Sequence, residues 1–161
     1  MRFLYYDKVF SIEKGKSIVG VKTFPLSEEF FRRHFSKKAL VPGVIFIEAM
    51  AQLLGWLTVY SHDFRLSSVM SLIEGVTVPA ALRPGFSAEI RGELISTSRR
   101  DSLGKAMVLV DNEKVASVDR LIFSHVQKVD RDELIARFSY FSGIPRDALQ
   151  GDSLEMRHDD Q

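Results

Sequence analysis

Apolar and polar positions change rhythm several times along the chain, and each change marks an element. From Phe3 to Ile12 and again from Ser17 to Phe24, aromatic and β-branched residues dominate, with Glu13-Lys14-Gly15-Lys16 between them. The pattern predicts an opening β-hairpin. Pro25 ends the second strand, and Ser27 followed by Glu28, Glu29, Phe30 and Phe31 predicts a short capped helical turn. Pro42 and Gly43 then introduce a run from Val44 to about Tyr60 that is apolar on almost every side and has Gly55 as its one breaker. A helix of this kind must be covered on most faces.

After Ser61-His62-Asp63 the rhythm becomes that of strands. The first runs from Ser68 to Val78 and stops at Pro79. From Phe86 to Leu94 the alternation is clean, with Phe86, Ala88, Ile90, Gly92 and Leu94 on one face and Ser87, Glu89, Arg91 and Glu93 on the other. Arg99 to Gly104 reads as a polar turn, Lys105 to Val110 as a strand, Asp111 to Lys114 as a turn, and Val115 to Val126 as a last long strand. Three strands joined by short turns form an antiparallel meander. Together with the hairpin they predict an α+β domain, a curved antiparallel sheet wrapped around one long apolar helix, spanning residues 1–128.

Residues 129–150 differ in kind. Asp130 with Glu133 three positions later resembles a capping box, and Leu134, Ile135, Phe138 and Phe141 lie along one helical stripe. This predicts a short added C-terminal helix, packed either on its own domain or on a partner. Residues 151–161 are polar and are expected to fray.

Composition narrows the function more than the fold. At 161 residues and 45% hydrophobic, the chain suffices for one domain with a true core. The net charge of +1, from 22 basic and 21 acidic side chains, carries no nucleic-acid signature. Cysteine is absent, which removes thiolate catalysis, disulfides and cysteine metal sites, and suits a reducing, cytoplasmic setting. Charged residues interrupt every apolar run near the N-terminus, against a secretory signal. The apolar run is marginal in length for a membrane span and carries Glu48 and Gln52. It reads as a buried core helix.

Glu48 is the residue that most needs a reason. A carboxylate in so apolar a helix is costly unless paired or used, and Gln52 stands four residues on, over the same face. Upstream, His34 precedes a Val-Pro-Gly turn that folds the chain back toward the start of the helix. The two form an acid/base candidate. His62, His125 and His158 have no partner pattern, and no histidine and carboxylate spacing suggests a metal.

The segment SEEFFRRHFSKKALVPGVIFIEAMAQLLG resembles, without a gap, the signature of the 3-hydroxyacyl-acyl carrier protein dehydratases of the FabZ type, which have the hot-dog fold. Phe30 and Phe31, His34 and Phe35, Pro42 and Gly43, and Glu48 through Gln52 stand at the family spacing, and weaker similarity covers roughly residues 5 to 126. The resemblance implies dehydration of a 3-hydroxyacyl thioester to the trans-2-enoyl product in fatty acid or related lipid or polyketide synthesis. It implies His34 as base, Glu48 as acid, backbone N–H groups of Gly43 and Val44 on the thioester oxygen, and Gln52 orienting Glu48. No redox or metal cofactor is implied, because the substrate rides on the phosphopantetheine arm of acyl carrier protein. A homodimer, or a trimer of such dimers, is implied too, since in the family each site takes its His and Glu from different subunits.

The match has departures. Arg33 replaces the family glycine, Ser36 the proline after the histidine, and Thr77, Pro79 and Ala80 stand where relatives carry a basic cluster. Arg32, Arg33, Lys37 and Lys38 around His34 are candidates for a substitute carrier-docking patch. Phe46, Met50, Leu53 and Met70 are candidate linings of an acyl tunnel. Two alternatives stay open: a hot-dog thioesterase, and a non-catalytic acyl-carrier-binding or assembly subunit.

Overall fold

Why one helix can sit inside one sheet is settled by glycines. The structure, a computed structural model, describes residues 4–32, 38–150 and 153–155. Its long helix α1, Gly43–Ser61, is cradled by a seven-stranded antiparallel sheet. A Cβ at Gly20 would stand 2.8 Å from the Leu53 side chain, and one at Gly104 2.6 Å from Leu54. Only glycine lets the strands close this tightly on the helix.

In chain order the strands are β1 (Lys8–Glu13), β2 (Ser17–Phe24), β3 (Ser67–Thr77), β4 (Phe86–Thr97), β5 (Asp101–Val110), β6 (Glu113–Val126) and β7 (Ser153–Glu155). They lie side by side as β3-β6-β5-β4-β2-β1-β7. The expected hairpin and meander are both present, and the meander joins the hairpin through β2 and β4, paired from Ser17 with Glu93 to Phe24 with Phe86. This is the expected hot-dog arrangement. Although α1 is long and apolar enough to cross a membrane by length and composition, most of it is buried inside the domain, as befits a core helix.

Three details differ from the sequence expectation. The turn before β5 is short, because Ser98 Oγ accepts from the backbone N–H groups of Arg100 and Asp101 and so closes it within three residues. Asp101 to Gly104 therefore belong to β5, and Ser102 is buried. The turn after β5 has only Asp111 and Asn112, both with positive φ (51° and 65°), as a tight hairpin requires. In the polar tail, Ser153–Glu155 pairs with β1 through Ser11, Ile12 and Glu13.

The second helix α2, Arg131–Ser142, is built as its sequence suggests. Asp130 caps it by accepting from Glu133 N at 3.0 Å, and Gly143 ends it in the left-handed region at φ 78°. Its stripe packs on its own domain. Phe138 is fully buried between Trp56 of α1 and Phe64, with ring centroids 5.0 and 5.9 Å away.

Candidate active site

The two faces of α1 have different company. On the sheet side Phe46 packs against Phe24 and Phe86 at 5.4 and 6.5 Å between ring centroids, Leu53 meets Gly20, and Met50 is fully buried in the same core. These three candidate tunnel residues are buried on the sheet side and are not among those lining the cavity on the opposite face. An apolar helix gives no sequence cue as to which apolar side will meet the sheet. The polar residues mark the other face. Glu48, Gln52, Gly55, Trp56 and Val59 line a cavity of about 630 Å³. Of the expected linings, Met70 reaches it.

Glu48 is half-buried and fixed from one side. Gln52 donates from Nε2 to Glu48 Oε1 at 2.9 Å, and its own Oε1 accepts from the backbone N–H of Tyr5 at 2.9 Å. The second bond settles which way the amide points, so its nitrogen must face the carboxylate. Nothing in the sequence signals the Tyr5 contact, which joins residues 47 positions apart. Burial, followed by the carboxylates of Glu48 and Glu28, raises the Tyr5 phenol above its ordinary pKa, with Lys22 acting the other way.

The rest of the wall comes from segments distant in sequence. Tyr6 lines the cavity with Trp56, and burial pushes its phenol upward while Trp56 and then Arg137 pull it down. Its hydroxyl is near the indole without reaching good hydrogen-bond geometry. Leu134, Arg137 and Phe141 enter from α2. Trp56 falls at the i, i+4, i+8 spacing from Glu48 and could have been found on a helical wheel. The α2 residues could not, because a stripe does not announce its target.

At the start of α1, Gly43 is held against Val78, where a Cβ would come within 2.7 Å of a methyl group. No side chain caps this end, and the backbone N–H groups of Gly43 and Val44 have no acceptor among the described residues. The helix thus presents free donors at its positive end. His34, Arg33 and Lys37 lie outside the described residues. Arg32 ends the short 3-10 turn Glu29–Arg32, and Lys38 is exposed. The chain leading to His34 is tethered by Lys22, which bonds Asp7 at 3.1 Å and Glu28 at 2.9 Å. Burial alone would lower the Lys22 ammonium, but these two carboxylates outweigh it and raise its pKa.

A second polar cluster closes the other end of α1. His62 Nε2 meets Thr97 Oγ1 at 2.7 Å, Thr97 meets Ser102 Oγ at 2.6 Å, and Ser102 meets His125 Nε2 at 2.8 Å. The imidazole rings of His62 and His125 stand edge to face at 4.9 Å. Burial first, and then His125, lowers the His62 pKa, with Asp63 opposing. No group of three or more histidine or acidic side chains able to hold a metal occurs among the described residues.

The family model of the FabA-like domain matches residues 1–119. Among curated proteins, the chain is 32% identical over 117 residues to the 3-hydroxyacyl-acyl-carrier-protein dehydratase FabZ of Pediococcus pentosaceus, covering 72% of this chain and 78% of that one. It is 32% identical over 128 residues to the FabZ of Clostridioides difficile, covering 78% and 89%. Solved structures share the fold at lower identity. A Streptococcus mutans protein bound to acetyl CoA aligns with TM-score 0.63 and 13% identity over 81% of this chain and 95% of that one. A thioesterase from Haemophilus influenzae aligns at 0.57 and 12%, over 71% and 75%.

Proposed function

The chain belongs to the FabA-like family, and on that premise we propose that it dehydrates 3-hydroxyacyl thioesters carried on acyl carrier protein to trans-2-enoyl thioesters. The observation that carries this reading is the setting of Glu48: a carboxylate held by Gln52 in an otherwise apolar core helix, facing a cavity of ligand size. In the reaction, His34 removes the proton beside the thioester carbonyl. The electron pair forms the new double bond as the carbon–oxygen bond to the 3-hydroxyl breaks, and Glu48 supplies the proton with which hydroxide leaves as water. The N–H groups of Gly43 and Val44 hold the charge that builds on the thioester oxygen. Gln52 orients the acid.

The site is completed by a second copy of the chain, which contributes His34. Support comes from β3, which ends the sheet and exposes Val69, Met70, Leu72 and Val76. An open apolar edge strand is a ready template for pairing with its own copy. Incubation with carrier-bound 3-hydroxyacyl substrates, followed by mass spectrometry, tests the reading. Loss of one water is expected. Release of free 3-hydroxy acid would replace the dehydratase reading with the thioesterase one, and carrier binding without turnover would point to an assembly subunit.

A further inference from the structure

We infer that α2, which lies beyond the family-matched residues 1–119, closes the distal end of the acyl site, and that Leu134 and Phe141 limit the length of acyl chain the enzyme accepts. The inference rests on the dehydratase reading of the same cavity. The cavity wall on α1 runs from Glu48 to Val59, a rise of about 16 Å at the usual helical spacing. A chain attached near Glu48 has that direction to follow. Ala51, Val59, Met70 and Phe123 give it apolar neighbours along the way. Trp56, eight positions past Glu48, is where α2 crosses, because Phe138 packs on its ring.

Leu134, Phe138 and Phe141 share one face of α2. The middle residue is the anchor and the outer two reach the cavity. Arg137 is exposed and marks the rim. The helix is fixed at both ends: Asp130 caps the start, Arg131 Nε donates to the Asp63 carbonyl at 2.9 Å, and Ser139 Oγ donates to the Ile144 carbonyl at 2.7 Å beside Gly143. Beyond it, buried Ile144 and Leu149 tie the chain down before β7. Phe138 and Ser142, the buried residues of the helix, hold the wall together with these end contacts. An acyl chain that outgrows the cavity meets Leu134 and Phe141 and stops.

The test compares the full-length enzyme with Phe141→Ala and with the double variant Leu134→Ala/Phe141→Ala on carrier-bound 3-hydroxybutyryl, 3-hydroxyoctanoyl and 3-hydroxyhexadecanoyl substrates. The ratio of kcat/KM for the longest to the shortest should rise about ten-fold, chiefly through a lower KM for the longest. Should the alanine variants fail to fold, Phe141→Leu should give a smaller shift in the same direction. An unmoved ratio, or an equal fall at all three lengths, overturns the inference. Trp56 is the single tryptophan of the chain and lines the cavity, so its fluorescence reports binding of butyryl- and hexadecanoyl-pantetheine without chemistry. If the wild type dehydrates nothing, the dehydratase reading falls, and this titration still decides whether α2 limits length.

Discussion

Gln52 holds Glu48 through a 2.9 Å hydrogen bond while being held itself by the backbone of Tyr5. The Glu48 carboxylate is therefore held by a chain of contacts that starts in the N-terminal segment. Gln52→Ala should lower kcat on the order of ten- to a hundred-fold with little change in KM, because it misplaces a reacting group without removing it. Glu48→Gln and His34→Ala should each cost about two to four orders of magnitude. Steady-state kinetics on one carrier-bound substrate separates the two classes, and wild-type rates in either Glu48→Gln or His34→Ala would remove the proposed chemistry.

Lys22 is buried and bonds two carboxylates, Asp7 and Glu28, that are partly exposed. Replacing it with Met leaves both without this partner just ahead of the His34 segment. A loss of about 1–3 kcal/mol is expected, below the figure for a fully buried pair because solvent screens the carboxylates. Urea denaturation measures it, and restoration by Lys22→Arg would show that charge matters more than the shape of the chain.

Phe138→Ala empties the contact between α2 and Trp56 and should destabilise the protein by about 3–5 kcal/mol. Limited proteolysis should then cut near Asp130 before the sheet is attacked. Resistance equal to that of the wild type would mean that α2 is held by its other contacts alone.

Stability should weaken in mild acid. The His62 pKa is lowered in the folded protein by burial and by His125, so the unfolded chain binds more protons as the pH falls from the ordinary histidine value of about 6.5 toward the folded value. Stability is whole above that window and reduced below it. Melting temperatures across the range should show the decline, and His62→Gln should flatten it. A melting curve that rises toward acid would contradict the assignment.

Reversing two charges among Arg32, Arg33, Lys37 and Lys38 should raise KM for carrier-bound substrate severalfold at low salt and much less at high salt. The same substrate on free pantetheine should be unaffected. Equal turnover of carrier-bound substrate by wild type and variant at low salt would dispose of the docking patch.

Much of this architecture could be read from the residues alone, for identifiable reasons. The long helix was legible because nothing between Val44 and Tyr60 except Gly55 interrupts it, and β4 because alternation is unambiguous over nine positions. Glu48 and Gln52 stood out against an apolar background. What escaped were matters of tertiary choice: which side of α1 faces the sheet, where Phe46, Met50 and Leu53 are buried, and which surface the stripe of α2 would cover. The strand at Ser153–Glu155 was invisible because it pairs through its backbone, to which polar side chains give no clue.

That strand has a consequence for the pairing of copies proposed above. Within one chain the sheet has a long, apolar margin at β3 and a three-residue margin at β7. Two copies joined along β3 would form a sheet whose outer margins are each β7, over Ser11–Glu13, with the short Lys8–Phe10 half of β1 beside it, neither long enough to template another strand efficiently. Polymerisation through the sheet would thus stop at two copies, and deleting the last residues from Gly151 onward would be expected to turn a self-limiting pair into one with an open, aggregation-prone flank along β1.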